Sequence, residues 1–195
     1  LSNLKAQLNP HFIFNALNSI RALVDEDPKK SKMAITQLSS ILRNSLRSDS
    51  NKLVPFEREM TTVYDYLSLE SIRYEERLKT IYSIAPESNR FQIPPLMIQT
   101  LVENGIKHGI AMLKEGGTIA ISTDVHKDML KIEIRNSGQY KNGIKLDVGY
   151  GLLNTKKRLN LIYGPDAHFM ISNEDGNTVL TTIEIPEDIY LKEEV

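Results

Sequence analysis

The sequence predicts an α+β fold: a helical region first, then a two-layer unit of mostly antiparallel strands with helices on one face. Three observations carry that prediction. Apolar residues recur every three or four positions through the first third, the period of a helix. Further along, Ile119, Ile121, Thr123 and Val125 alternate, and so do Leu130, Ile132 and Ile134, the period of a strand. Helical patterns at about 96–109 and 152–163 are interleaved with such strands.

The elements follow in order. Ile13, Leu17, Ile20 and Val24 form one apolar stripe at helical spacing, and His11, Asn15, Asn18 and Ala22 repeat that spacing on a neighbouring face. Asp25-Glu26-Asp27-Pro28 breaks this helix. Asp27 suits the N-cap of the next one and Pro28 its first turn, so the pair reads as an antiparallel hairpin. The second helix carries Ala34, Leu38, Ile41, Leu42 and Leu46. After Val54-Pro55 a third runs to about residue 78, with Met60, Val63, Tyr64 and Leu67 as its apolar side. A strand at 80–84 follows. Pro94-Pro95 opens a helix to about 109, and Gly116-Gly117 starts the hairpin. Residues 137–150 hold glycines and little periodicity, so they read as a loop. The helix at 152–163 stops at Gly164-Pro165, and two last strands lie near 167–173 and 178–185. The expected boundary between helical and α/β regions lies near 79–92.

Composition is that of an ordinary globular protein: 195 residues, 41% hydrophobic, 25% charged, net charge −1. That balance argues against bulk attraction to nucleic acid. The absence of cysteine excludes disulfides and thiolate metal sites. No apolar run approaches the roughly 20 residues needed to span a bilayer. The chain starts within a helical pattern and without Met, so we read it as a cytoplasmic fragment of a longer protein.

Three stretches carry chemistry. In LNPHFIFNALNSI, residues 8–20, Pro10 stands where it should bend a helix and free the carbonyl of Ala6. His11 follows it, and Asn15 sits one turn on, within reach of the imidazole. Histidine in its ordinary state leaves one ring nitrogen free to attack near neutral pH. In LMIQTLVENGIKHGI, residues 96–110, Glu103, Asn104, Lys107 and His108 share adjacent helix positions that could hold Mg²⁺ and phosphate oxygens. Taken alone, this could equally be a solvated polar face. The third stretch pairs IRNSGQY, at 134–140, with GYGLLNTKKRL, at 149–159. A Gly-x-Gly opening into a helix bares backbone N–H groups to an anion, though alone it could be a plain tight turn.

Glu-Asn-x-x-Lys-His on a helix, Asn-x-Gly after a strand, a loop, then Gly-x-Gly-Leu-x-Asn at a helix start, in that order, resembles the nucleotide-binding domain of the GHKL superfamily. LKAQLNPHFIFNALNSI, LSSILRNSL and VPFEREMTTVYDYLSLESIRYEERL resemble the dimerisation and phosphoacceptor region of LytS/YehU-type sensor histidine kinases. The resemblance covers nearly the whole chain. It implies a dimerising helical hairpin over 1–78, paired into a four-helix bundle, and a Bergerat-type ATP-binding unit over 79–195. It implies that His11 is the phosphoacceptor, with Asn15 beside it and Glu103 the candidate base. Asn104 matches the Mg²⁺-holding asparagine, and Lys107 and His108 the positions nearest the phosphates. Asn136 and Gly138 stand where adenine is read. Gly149, Gly151 and Leu152 flank the lid and phosphate loop, and Asn154 opens the helix behind them. ATP and Mg²⁺ are the implied cofactors. The implied partners are a second copy of the chain and a response regulator of LytTR type, with no direct contact to nucleic acid. The full-length protein is implied to be membrane-anchored.

The sequence also departs from the family pattern. Asn136 replaces the usual adenine-reading Asp, Gln139-Tyr140 replaces the second glycine of that box, the lid at 139–148 is short, and Phe12 replaces an acid found beside many phosphoacceptors. These departures motivate a rival reading, a dimeric nucleotide-binding scaffold without phosphotransfer. His126 and His168 fall in strand segments and are read as ordinary.

Overall fold

The computed structural model describes residues 10–47, 52–140 and 150–187. Helix α1, Pro10–Glu26, and helix α2, Pro28–Arg47, turn back on each other across Asp27 alone. Asp27 caps α2 as its spacing predicts: the Lys30 backbone N–H donates to Asp27 Oδ1 at 3.0 Å. Ala6 and the bend expected there lie outside the described residues.

The stripe buried on α1 is not the one the spacing favoured. Phe12, Ala16, Ile20 and Leu23 are buried, whereas Leu17 and Val24 are each 50% exposed. The helix carries two apolar stripes that share Ile20. The inner one wins because small Ala16 lets the helices approach and Phe12 finds an aromatic partner, the Tyr66 ring at 4.8 Å. Leu17 and Val24 stay on the outside with Phe14, as do Met33, Ile35 and Leu46 on α2.

Helix α3, Phe56–Tyr74, is flanked by a two-residue ribbon, β1 (Val54–Pro55) against β3 (Gln92–Ile93), which the sequence did not announce. One face of α3 meets α2, where Asn44 Nδ2 donates to Thr62 Oγ1 at 3.0 Å and Ser68 Oγ to Gln37 Oε1 at 3.3 Å. The same helix also buries Phe56, Met60, Val63 and Leu67 in a core that is continuous with the α/β unit. A helix expected to belong to the N-terminal region thus also packs against the α/β unit.

The sheet is mixed, in the order β2-β4-β5-β7-β6. Its strands are β2 (Leu78–Ser83), β4 (Gly117–His126), β5 (Met129–Ser137), β6 (His168–Asn173) and β7 (Thr178–Pro186). Only β2 and β4 run parallel; every other pair is antiparallel. Ile119 and Ile121 on β4, Leu130, Ile132 and Ile134 on β5, and Ile183 and Ile185 on β7 point inward, in agreement with their alternation. Over that face lie α4, Met97–His108, and α5, Tyr150–Tyr163. They contribute Ile98, Leu101, Val102, Ile106 and Leu159 to the core. The result is the two-layer α+β unit that the periodicities predict.

Candidate functional site

The site is built on α4. Its apolar face is held by Met97, Ile98, Leu101, Val102 and Ile106, which turns Glu103, Asn104, Lys107 and His108 away from the sheet. Lys107 and His108 are exposed; Glu103 and Asn104 are half-buried.

The start of α4 is unusual. Leu96 adopts a left-handed conformation, φ 61°, which costs an L-residue about 1–2 kcal/mol. No side chain in the local sequence caps the helix. The cap comes from α3 instead: the Leu96 and Gln99 backbone N–H groups donate to the two carboxylate oxygens of Glu59, at 2.8 and 3.1 Å. Glu59 is 2% exposed, and burial pushes its carboxyl up to about 7, against the lowering pull of these N–H groups and of Arg158. Arg158, on α5, reaches the same turn from another side and donates from Nη1 to the Pro95 carbonyl at 2.8 Å. Thr100 continues the grip one turn on, with Oγ1 donating to the Leu96 carbonyl at 2.6 Å.

At the middle of α4, the first turn of α5 comes close. A Cβ added at Gly151 would stand 2.9 Å from Thr100 Cγ2 and 3.6 Å from Asn104 Nδ2, so only glycine lets α5 seat here. Asn104 and Gly151, 47 positions apart in the chain, are therefore neighbours. Leu152 packs partly against the core, and Asn154 is exposed. Gly149 lies outside the described residues, as does most of the expected lid.

At the end of α4 stands Asn136, the penultimate residue of β5 and only 7% exposed. Its Nδ2 donates to the Ser137 carbonyl at 3.1 Å, which leaves Oδ1 as the acceptor. Gly109 permits the closeness: a Cβ there would meet the Ser137 carbonyl oxygen at 2.4 Å and Asn136 Nδ2 at 2.6 Å. Gly138, at φ 130°, follows directly.

Glu103 accepts a hydrogen bond from Gln99 Nε2 at 2.8 Å. Burial pushes its carboxyl up to about 7; the Gln99 bond opposes the shift and the nearby Glu70 carboxylate adds to it. Glu70 and Tyr66 both face inward from α3, and burial raises the pKa of each. Sequence reading missed Glu59 and Glu70. The signal for the acids was present: Phe56, Glu59, Val63, Tyr66, Glu70 and Tyr74 follow one another at helical spacing, so two carboxylates sit on the buried stripe.

His11 is exposed on α1, with Nδ1 3.1 Å from Asn15 Nδ2. Presented this way, the amide donates to Nδ1 and the ring proton belongs on Nε2. Turned over, it offers Oδ1 to an Nδ1–H and leaves the Nε2 lone pair free. Among the described residues no hydrogen bond or ion pair joins His11 to α4. The link is indirect, through Phe12 on Tyr66. The structure therefore unites Asn104 with Gly151, and Asn136 with Gly138 and the end of α4, and holds His11 with Asn15 apart from them.

As to a metal, no group of three or more His, Cys, Asp or Glu side chains among the described residues could hold one. Mg²⁺ carried mainly by phosphate oxygens and water would ask for fewer protein ligands than that. One protein oxygen would suffice, and Asn104, with Nδ2 turned toward Gly151, has Oδ1 to give.

Comparison with known proteins places the chain among histidine kinases. Residues 1–78 match the family model described as Histidine kinase. The chain is 36% identical to the sensor protein LytS of Staphylococcus epidermidis, over 92% of this chain and 32% of that protein. It is 32% identical to the sensor histidine kinase BtsS of Escherichia coli, over 94% and 32% respectively. The chain thus spans about a third of the curated relatives it matches. Among solved structures, the catalytic domain of histidine kinase ThkA superposes with TM-score 0.54 at 16% identity, covering 70% of this chain and 96% of that one. The histidine kinase domain of a blue-light activated histidine kinase from Erythrobacter litoralis superposes with TM-score 0.53 at 11% identity, covering 95% and 92%. At such identities these two show a shared fold.

Proposed function

The chain belongs to the histidine kinase family, in its LytS type, and on that premise we propose that it is the catalytic core of a two-component sensor kinase. ATP with Mg²⁺ binds between α4, the end of β5 and the first turn of α5, and its γ-phosphoryl passes to His11. The single observation that supports this best is the approach of Gly151 to Asn104, which sets a glycine-opened helix start against an amide able to hold a metal.

Each residue has a task. Asn136 Oδ1 accepts from the adenine amino group, beside Gly138. Lys107 places positive charge at the end of α4, beside His108, where Coulomb attraction favours phosphate, and the backbone at Gly151 and Leu152 with Asn154 takes the other side of it. Bound Mg²⁺ neutralises phosphate charge and orients the γ-phosphoryl. Asn15 presents Oδ1 to Nδ1–H of His11, so that the Nε2 lone pair attacks. The Nε2–P bond forms, the bond from the γ-phosphorus to the bridging oxygen breaks, and ADP leaves with that electron pair. The Nδ1 proton is then lost. Glu103, its carboxyl near 7, is suited to take a proton at neutral pH.

We read α3 with the nucleotide-binding unit, because Glu59 caps α4 from it. The hairpin of α1 and α2 is then the dimer element: Phe14, Leu17 and Val24 on α1 form an exposed apolar patch that a second copy would cover. The phosphoryl group goes on to an aspartate of a response regulator of LytTR type. In the full-length protein this core lies on the cytoplasmic side of a membrane-anchored sensor. The scaffold reading rests on Asn136 and on Phe12, whose ring serves packing and supplies no acid beside His11. Incubation with γ-labelled ATP and Mg²⁺ separates the two. A kinase yields label that is acid-labile and base-stable, and a scaffold binds ATP without labelling.

A further inference from the structure

We propose that Glu59 and Arg158 are positioning residues for nucleotide binding: they grip the turn at the start of α4 from two helices and so fix where Asn104 stands against the first turn of α5. The inference rests on the reading of that site given above.

The turn at 95–99 is held by charged groups of opposite sign. From α3, the buried Glu59 carboxylate takes the Leu96 and Gln99 N–H groups at 2.8 and 3.1 Å. From α5, Arg158 Nη1 holds the Pro95 carbonyl at 2.8 Å, while its buried Nε and Nη2 have no hydrogen-bond partner among the described residues. An arginine left this way, close enough to Glu59 to stabilise its charge, contributes through position and field more than through a direct ion pair. The grip matters because of what it leads to. The Leu96 carbonyl, in the gripped turn, accepts the Thr100 hydroxyl at 2.6 Å, which fixes the Thr100 rotamer. Thr100 Cγ2 is the atom against which Gly151 seats, and Gly151 is the neighbour of Asn104. One chain of contacts thus runs from Glu59 and Arg158 to the α4–α5 spacing at the phosphates.

The test is ATP affinity by calorimetry, with Mg²⁺ and with a chelator, on the 195-residue chain, beside thermal melting. Glu59→Gln keeps the shape but sets an NH₂ against an N–H donor. Its Mg²⁺-dependent gain in ATP affinity should fall by about tenfold, the loss expected for one charge-assisted hydrogen bond, with affinity in chelator within about twofold. Arg158→Met, at a half-buried position, should lower the same gain and serves if Glu59→Gln does not fold. A folded variant that melts earlier but keeps the full Mg²⁺ gain overturns the inference and leaves the site reading standing. A parent protein that shows no Mg²⁺-dependent ATP binding overturns the site reading and this inference with it.

Discussion

Adding one carbon at Gly151 tests the site most economically. The Cβ of Gly151→Ala would stand 2.9 Å from Thr100 Cγ2, roughly 0.6–1 Å short of the ordinary carbon–carbon separation of about 3.5–4.0 Å. Thr100 cannot swing aside cheaply, because its Oγ1 is tied to the Leu96 carbonyl at 2.6 Å. The first turn of α5 must therefore back away from Asn104 by a comparable distance. Stability should change little, since replacing glycine in a helix gains up to about 1 kcal/mol and relieving the contact costs about as much. Function should change a great deal: a misplacement of about 1 Å at a phosphoryl-transfer site can cost about 100-fold. The assay is initial rate of labelling from γ-labelled ATP, with melting as a control. Thr100→Ser then supplies the rescue, because it deletes Cγ2 and keeps the hydroxyl. The pair Gly151→Ala with Thr100→Ser should recover most of the rate. If Gly151→Ala labels at the parent rate, or the double variant is no better than the single one, the seating of α5 on α4 does not set the reaction.

Other expectations are independent of that one. Leu17→Glu and Val24→Glu, at half-exposed positions, should dissociate the dimer in sedimentation while leaving the far-ultraviolet dichroism unchanged; a dimer that persists would move the interface elsewhere. Asn136→Leu should weaken ATP binding and erode discrimination against GTP, whose base offers an oxygen where adenine offers an amino group; unchanged selectivity would remove Asn136 as the reader. The buried Glu59 carboxyl, raised from 4.5 to about 7, binds a proton more tightly in the folded state than in the unfolded one. Its contribution to stability is therefore full below about pH 4.5 and is lost as pH rises toward about 7, by about 3 kcal/mol. Urea midpoints across that window should fall with pH, and Glu59→Gln should flatten the slope; an equally steep slope in the variant would place the titration on other groups.

Much of this architecture was legible in the residues. The strand pairs at 117–137 and 168–186 follow from simple alternation, and Asp27-Pro28 marks the hairpin turn through local chemistry alone. The polar face of α4 and the glycine start of α5 could be read as motifs, because each lies within one short run of sequence. What the sequence hid was long-range. Two apolar stripes compete on α1, and the choice between them depends on Tyr66, more than fifty residues away. The cap of α4 lies on α3, with no local Ser, Thr or Asp to advertise it, and Leu96 takes up a left-handed conformation that no leucine announces. Glu59 and Glu70 were visible as acids on an apolar stripe, but their partners came only with the tertiary structure.

The central claim is that the γ-phosphoryl of ATP ends on His11. Its most direct test is to label the chain with ATP and Mg²⁺, digest it at alkaline pH and locate the phosphoryl group by fragmentation that preserves the phosphorus–nitrogen bond. The account predicts a single modified residue, His11, on an imidazole nitrogen, and no label in a His11→Gln variant whose ATP affinity matches the parent. Label on His108, His126, His168 or any hydroxyl, or label that persists in His11→Gln, would contradict it.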